Sequence, residues 1–162
     1  MKKETATLAG GCFWGMEDII RNIPGVLSTV VGYTGGEIPN PNYNIVKLGT
    51  SNHAESVQVE FDSTKLSYTE LLEFFFRMHD PTTINQQGND KGTQYRSVIF
   101  FHSPDQERTA LELITSIDAK KKWPRPIVTK VIPAVKFYPA EDYHQDYLKK
   151  NPGGYTCHWL RN

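Results

Sequence analysis

The residues of this chain best suited to chemistry begin with a cysteine close to its start. Cys12 follows two glycines and precedes the aromatic pair Phe13 and Trp14, and residues 16 to 21 are typical of a helix. A thiol at a helix N-terminus lies beside unpaired backbone N–H groups, whose partial positive charge favours the thiolate. Cys12 is therefore a candidate nucleophile for a small apolar group. Taken alone, the segment fits a cysteine packed in the core equally well.

A thiolate needs an electrophile, and the chain offers partners for two kinds of reaction. Attack on a carbonyl, as in a cysteine hydrolase, requires a histidine base. His53, which precedes a predicted strand, is the best placed histidine for that role. Attack on an oxidised sulfur instead requires an acid for the leaving oxygen, a hydrophobic pocket and a second thiol. Cys157, in a glycine-rich tail, is the available second thiol.

Candidates for the acid and the polar groups lie in or beside two long loops over residues 32–52 and 82–94. Loops of this length in a compact domain are usually functional. Glu55 begins a strand next to the first loop, where burial would raise its pKa and keep it protonated. Tyr43, Asp90 and Tyr95 lie in or next to the loops. Each residue alone is more typical of a solvated carboxylate, a core-edge tyrosine or a turn former. Taken together, these residues favour attack on an oxidised sulfur over attack on a carbonyl.

The bulk properties exclude several classes of protein. The length of 162 residues and a hydrophobic content of 38% indicate one globular domain. A net charge of zero argues against nucleic acid or a membrane surface as the main partner. No secretory signal and no apolar run of about 20 residues is present, so we expect a cytoplasmic protein. The two cysteines lack metal-ligand spacing, which argues against a metal site. In a reducing compartment a disulfide is more often transient and catalytic or redox-sensing than a permanent crosslink.

Predicted strands and helices intermix along the chain, which favours an α/β or α+β domain with one central sheet. We predict strands over 4–9, 26–33, 55–61, 95–101, 127–132 and 135–137. Helices are predicted after Gly11, over 67–78, 104–121 and 141–149, with a short turn over 43–47. Ser67 with Glu70, and Ser103 with Gln106, have the spacing of capping boxes. An irregular tail follows.

The segment Gly11-Cys12-Phe13-Trp14-Gly15 resembles the GCFWG signature of the A-type methionine sulfoxide reductases, the peptide-methionine (S)-S-oxide reductases. Further blocks are similar to that family in the same order and span nearly the whole chain. They are Gly32-Tyr33-Thr34-Gly35-Gly36, Asn40-Pro41-Asn42-Tyr43, His53-Ala54-Glu55, Gln87-Gly88-Asn89-Asp90-Lys91-Gly92-Thr93-Gln94-Tyr95-Arg96-Ser97, Ala140-Glu141-Asp142-Tyr143-His144-Gln145 and Lys150-Asn151-Pro152-Gly153-Gly154-Tyr155. A lone Cys-Phe-Trp would be weak, but so many collinear blocks are very specific.

The resemblance implies a catalytic site and a substrate. Cys12 would attack the sulfur of methionine sulfoxide, and Phe13 with Trp14 would hold its S-methyl group. Glu55 would protonate the sulfoxide oxygen, which finally departs as water. The remaining members implied for the catalytic and substrate-binding site are two tyrosines that hydrogen-bond that oxygen and an aspartate with a role in pocket polarity and recycling, namely Tyr43, Tyr95 and Asp90.

The resemblance also implies how the enzyme would be recycled. Reduction would leave a sulfenic acid on Cys12, which Cys157 would convert to a Cys12–Cys157 disulfide for thioredoxin to reduce. Several relatives carry two recycling cysteines or a longer glycine-rich tail, whereas here only Cys157 is available. The implied substrate is the S epimer, free or in peptides and proteins, and the implied role is repair of oxidised proteins under oxidative stress.

The implied fold is a two-layer α/β sandwich with a ferredoxin-like mixed sheet and an irregular C-terminal tail. We expect a single catalytic domain over residues 1–162, in which 150–162 is a mobile tail carrying the resolving cysteine. We also expect a monomer without a cofactor or metal. Two other functions stay open at this point. One is a cysteine hydrolase or acyltransferase using Cys12 with His53, and the other is a peptide-binding module that holds methionine side chains between Phe13 and Trp14.

Overall fold

A computed structural model describes residues 1–162 of the chain. It contains eight strands and five helices. The strands are β1 (Lys3–Gly10), β2 (Val26–Thr34), β3 (Ala54–Asp62), β4 (Gln86–Gln87), β5 (Asp90–Lys91), β6 (Ser97–Phe101), β7 (Lys130–Pro133) and β8 (Tyr138–Pro139). The helices are α1 (Phe13–Arg21), α2 (Tyr43–Val46), α3 (Tyr68–Met78), α4 (Pro104–Ala119) and α5 (Tyr147–Lys150).

The central sheet has six strands in the order β7-β6-β1-β3-β2-β8. Within it, β6, β1, β3 and β2 pair antiparallel, and the chain visits them as β1-α1-β2-β3-α3-β6. This order and connectivity are those of a ferredoxin-like domain. After β6, α4 returns the chain to the same sheet and β7 pairs parallel to β6. The predicted mixed α/β class with a ferredoxin-like sheet is confirmed.

The main core lies between one face of the sheet and the helices. Leu8 in β1 and Val57 in β3 are register partners. They belong to the same buried cluster as Ile20 of α1, Leu72 of α3 and Ile117 of α4. The three long helices therefore cover one face of the sheet, which makes the two layers. This packing fixes the point where β1 ends and α1 begins.

Two capping predictions can be compared with the observed hydrogen bonds. Ser67 and Glu70 form the complete capping box of α3, since each side chain accepts from the other residue's backbone N–H. At α4 only half of the second box forms. The Ser103 hydroxyl accepts from Gln106 N–H, but the Gln106 side chain accepts from His102 N–H instead. The same side chain donates to the carbonyl of Thr5 in β1, a tertiary bond that draws it away from Ser103.

The C-terminal third departs furthest from the sequence prediction. The strand predicted over 135–137 is wrong, because pairing with β2 occurs at Tyr138–Pro139. The helix predicted over 141–149 is divided into a 3-10 turn, Asp142–His144, and the short α5. Asp146 separates them with a left-handed φ of 53°. Its N–H donates to Glu17 and its carboxylate pairs with Arg21, so contacts with α1 break the helix there.

None of the helices combines the length and the apolar character needed to cross a membrane.

Candidate active site

Cys12 is the N-cap of α1, and only Gly11 separates it from the end of β1. The backbone turns at Gly11, whose φ of 101° suits glycine, and a Cβ there would lie 2.8 Å from the Gln87 side chain. The thiol is buried, with 8% of the residue exposed. Cys12 therefore occupies the helix N-terminus that the sequence predicts, but inside the protein rather than in contact with solvent.

The pKa of the Cys12 thiol is shifted upward, which is opposite to the sequence-based expectation of a favoured thiolate. Burial raises the pKa of its thiol, and the nearby carboxylates of Glu55 and Asp90 raise it further. A hydrogen bond from the Trp14 backbone N–H lowers it, but by less. Loss of water outweighs the favourable helix N-terminus, since desolvation penalises the charged form. The resting site accordingly holds a protonated thiol.

Glu55 lies beside this thiol, near the start of β3. It is 2% exposed, and its Oε1 accepts a hydrogen bond from the Phe13 N–H at 3.2 Å. Burial raises the pKa of its carboxyl to about 8, although the Phe13 hydrogen bond opposes the shift. Glu55 is therefore mainly a neutral carboxylic acid near pH 7, as its place beside a loop at a strand start predicts.

The states of these two groups depend on each other. An ionised Glu55 disfavours the Cys12 thiolate by like-charge repulsion, whereas a neutral Glu55 does not. The neutral acid thus removes one of the two largest obstacles to ionising the thiol. A thiol next to a proton donor suits a reaction in which sulfur attacks while an oxygen takes up a proton.

A small cavity of about 110 Å³ connects the predicted site residues. It has room for a small group such as a methyl sulfoxide. Burial raises the pKa of both the Tyr43 and the Tyr95 phenols, so both are hydroxyl donors at neutral pH. The residues lining it are Cys12, Phe13, Trp14, Tyr43, Glu55, Asp90, Tyr95 and Tyr155.

The aromatic wall of this cavity is held in place from behind. The Trp14 indole stacks on Tyr147 with ring centroids 3.8 Å apart and an interplanar angle of 8°. Its Nε1–H donates to Nδ1 of His144 at 2.9 Å. The His144 ring also packs 5.1 Å from the Phe13 ring, between centroids. These contacts fix the orientation of both predicted methyl-binding rings.

Sequence reasoning missed several residues that support the site. Tyr155 lines the cavity and donates from its hydroxyl to Asp90 Oδ1 at 3.2 Å. Glu141 accepts from the Tyr43 N–H and from the Tyr33 hydroxyl, and so places the start of α2. His144, Glu141 and Tyr155 all lie in the blocks that carry the family resemblance, which was the signal that could have indicated them.

The second thiol lies next to Asp90. Both cysteines are free. The Cys157 Sγ is 3.6 Å from Asp90 Oδ2 and 3.7 Å from the carbonyl oxygen of Gln87. Because Asp90 also lines the Cys12 cavity, one side chain joins the two sulfur sites. The predicted mobility of residues 150–162 stays a prediction.

His53 does not have the geometry that a hydrolase base needs. It is fully buried, and its Nδ1 accepts from the Gly36 N–H at 3.1 Å. Its Nε2 lies 2.7 Å from the carbonyl oxygen of Ile38, to which it donates. Both ring nitrogens are used to hold the loop over 32–52, and His53 does not line the Cys12 cavity. His53 therefore cannot be the base that a cysteine hydrolase using Cys12 would require.

Size alone does not identify the site. A larger groove of about 310 Å³ lies between α3, α4 and the C-terminal residues, but no cysteine lines it. No group of three or more His, Cys, Asp or Glu side chains in the structure is arranged to hold a metal ion. The Cys12 cavity combines a thiol, a buried acid and phenols, so its chemistry marks it as the candidate active site.

Comparison with known proteins identifies the family of the chain. The family model described as peptide methionine sulfoxide reductase matches residues 4–162. Peptide methionine sulfoxide reductase MsrA 2 of Rhodopirellula baltica is 54% identical over 158 residues, covering 98% of this chain and 92% of the relative. The reduced form of Mxr1 from Saccharomyces cerevisiae is 42% identical and superimposes with a TM-score of 0.93, covering 99% and 93% of the two chains.

A further solved structure contains a relative with a partner. Mxr1 from Saccharomyces cerevisiae in complex with Trx2 is 30% identical, with a TM-score of 0.69 over 99% of this chain and 91% of that one. Similarity therefore extends over essentially the full length in sequence and in fold. The chain belongs to the peptide methionine sulfoxide reductase family and is an oxidoreductase of that class.

Proposed function

We propose that this chain reduces the S epimer of methionine sulfoxide, free or in peptides and proteins, with thioredoxin as the final reductant. The observation that carries the proposal is the placement of a thiol and a neutral carboxylic acid on one small cavity with an aromatic wall. Sulfoxide oxygen is a poor leaving group until it is protonated, so a reductase needs a proton donor beside its nucleophile.

In the first step the Cys12 sulfur attacks the sulfoxide sulfur while the oxygen takes a proton from Glu55. The S–O bond to methionine breaks, methionine leaves as the thioether, and the hydroxyl ends on Cys12 as a sulfenic acid. The proton lost by the Cys12 thiol replaces the one given by Glu55. Tyr43 and Tyr95, both protonated, donate hydrogen bonds to the oxygen. The net change is two-electron oxidation of one thiol.

The residues that line the cavity support selection of a single epimer. Phe13 and Trp14 take the S-methyl group, and Glu55 lies where the oxygen must be protonated. With the methyl and the oxygen both fixed, only one configuration at sulfur directs the rest of the methionine side chain out of the cavity. We assign this configuration to the S epimer on the family resemblance.

In the second step Cys157 attacks the oxidised Cys12, forming a disulfide and releasing water. Asp90 supports this pairing because it contacts Cys157 and lines the Cys12 cavity. Two thiols of thioredoxin would then reduce the disulfide and regenerate both cysteines. The structure of the relative Mxr1 in complex with Trx2 supports a thioredoxin as the donor.

A stereospecific assay tests the proposal. The protein is incubated with each epimer of methionine sulfoxide, with and without a thioredoxin system. We expect methionine from the S epimer only, with two thiols lost per chain when thioredoxin is absent and sustained turnover when it is present. Equal use of both epimers, or product without loss of thiols, would contradict it.

A further inference from the structure

His158, the residue after Cys157, is buried against the segment over residues 10–15, which is called the Cys12 loop below. His158 is 7% exposed, and its Nε2 lies 2.7 Å from the Gly10 carbonyl oxygen at the end of β1. The ring occupies space that two glycines leave free. A Cβ at Gly15 would lie 2.5 Å from its Nδ1, and a Cβ at Gly11 would lie 3.1 Å from its Nε2. His158 thus attaches the tail to the Cys12 loop.

The hydrogen bond to Gly10 decides which nitrogen of the ring carries the proton. A carbonyl oxygen only accepts, so Nε2 must be the donor, and the neutral ring then has its lone pair on Nδ1. Nδ1 lies 3.9 Å from the Cys157 Sγ, within range of a hydrogen bond from a thiol. His158 therefore presents an acceptor to the second sulfur.

Two other acceptors face the same sulfur, Asp90 Oδ2 at 3.6 Å and the Gln87 carbonyl oxygen at 3.7 Å. A backbone carbonyl does not take up a proton near neutral pH, so Asp90 and His158 are the two possible proton acceptors. Burial lowers the pKa of His158, although the hydrogen bond to Gly10 and the charge of Asp90 oppose the shift, so the ring is neutral near pH 7 and can accept a proton on Nδ1. Of these two acceptors, Asp90 already accepts from the Tyr155 hydroxyl, whereas the lone pair on His158 Nδ1 has only Cys157 as a partner, so we take His158 as the group that receives the thiol proton.

We propose that His158 positions Cys157 beside the Cys12 loop and accepts its thiol proton when Cys157 attacks the oxidised Cys12. This inference rests on the proposed function, which supplies the Cys12 sulfenic acid as oxidant. The Cys157 S–H bond breaks, its proton goes to Nδ1, and its sulfur forms the S–S bond. The S–O bond of Cys12 breaks and the hydroxyl leaves as water with a proton from Glu55. His158 then releases its proton to solvent, and Glu55 takes up a proton from solvent to return to its acid form.

The test is a single turnover of His158→Gln without thioredoxin. A glutamine amide can still donate to the Gly10 carbonyl but offers no base at the Nδ1 position. Methionine is measured by chromatography, and the disulfide by alkylation and mass spectrometry. We expect methionine to form at the wild-type rate, and the disulfide to form about 100-fold more slowly at pH 7, within the usual range for a lost general base.

The pH profile separates proton transfer from anchoring. The groups that face His158 are Asp90, Arg161, His79 and Cys157, and all of them are retained in the variant. As pH rises, Cys157 ionises without a base, so the deficit of His158→Gln should shrink. Disulfide formation at the wild-type rate, or a deficit of equal size at every pH, would overturn the inference.

Two further variants complete the design. His158→Asn is too short to reach Gly10, so it should be slower still in disulfide formation. If the glutamine variant does not fold, the part of the asparagine variant's deficit that shrinks as pH rises measures the lost proton transfer, and a deficit of equal size at every pH overturns the inference. His102→Gln removes an exposed histidine that contacts Thr7, and it should behave as wild type. If the wild-type protein itself forms no methionine or no disulfide, the proposed function fails. If the wild-type protein forms both methionine and the disulfide, and the His158 variants form the disulfide at the wild-type rate, the inference about His158 fails and the proposed function stands.

Discussion

The two cysteines lie in regions that are held together in different ways. Cys12 follows the central strand β1 and caps α1. The backbone before Cys12 is hydrogen-bonded to β3 and β6, and the backbone after it is hydrogen-bonded within α1. Cys157 lies in a stretch without helix or strand. The first thiol is placed by the sheet and the core, whereas the second is placed by side chains.

Hydrogen bonds between three pairs of residues hold the tail around Cys157. Tyr155 donates to Asp90, and His158 donates to Gly10. Further along, the Arg161 N–H donates to the Arg77 carbonyl oxygen at 2.8 Å, and Arg77 Nε donates to the Arg161 carbonyl oxygen at 2.6 Å. A few hydrogen bonds of this kind contribute about 1 kcal/mol each, far less than a packed core. From this contrast we predict that the Cys12 site is the more rigid of the two, and that Cys157, the proposed resolving thiol, changes partners during the proposed cycle.

The largest effect is expected from Cys12 itself. Cys12→Ser should lower methionine formation by about 10⁴-fold or more, because loss of a nucleophile removes the whole covalent route. Release of methionine in a single turnover, measured with and without thioredoxin, checks this. Methionine formation near the wild-type rate would remove Cys12 from the reaction and with it the distinction between the two regions.

Cys157→Ser tests the other side of the comparison. It should release one equivalent of methionine at the wild-type rate and then stall, since the sulfenic acid on Cys12 has no internal partner. Steady-state turnover with thioredoxin should fall to background while the first turnover is unchanged. Sustained thioredoxin-driven turnover would instead indicate a direct or intermolecular route to Cys12.

Glu55→Gln should slow methionine formation by about 100-fold or more, the usual range for a lost general acid, and leave sulfoxide binding intact. Glu60→Gln, on the same strand at a half-buried position, is the matched control and should be near wild type. A single-turnover rate equal to wild type in Glu55→Gln would rule out the acid role.

Glu55 also predicts a pH dependence. The group acts when protonated and its pKa is raised to about 8, so the methionine-forming rate should fall as pH rises through that value. In Glu55→Gln this alkaline limb should disappear. Because Glu55 raises the pKa of Cys12, alkylation of Cys12 in the variant should begin at lower pH than in the wild type. An unchanged limb in the variant would assign it to another group.

The smallest effect is expected where the tail meets α1. In Gly15→Ala the new Cβ would meet Thr156 Oγ1 and lie 2.5 Å from His158 Nδ1, which should displace the tail. Overpacking of this kind costs about 1–3 kcal/mol in unfolding free energy. Hydrogen exchange of the tail should rise and disulfide formation should slow, with methionine formation less affected.

Gly153→Ala is the control for this substitution, since no atom lies within 4 Å of its added Cβ. It should match wild type in unfolding, hydrogen exchange and disulfide formation. If Gly15→Ala behaves like Gly153→Ala, the tail is not seated on α1 in solution and the two regions are less coupled than their contacts indicate.

Local patterns in the sequence were sufficient for most of the fold. Alternation of polar and apolar residues over 55–61 predicted β3, and the Ser67 and Glu70 pair predicted the start of α3. Such features depend on neighbours along the chain. The errors lie where distant contacts decide, as at Asp146, whose bonds to α1 divide the helix predicted over 141–149.

For the site, the sequence by itself determined most of the residues that meet at the cavity. The motif blocks identified the thiols, the acid and the phenols that lie on or beside the cavity. Only the tertiary structure decided their state. Burial, which depends on the whole fold, raises the pKa of Cys12 against its helix N-terminus and keeps Glu55 neutral. The packing of His158 against Gly10 likewise follows from the approach of segments 148 residues apart, which no local pattern encodes.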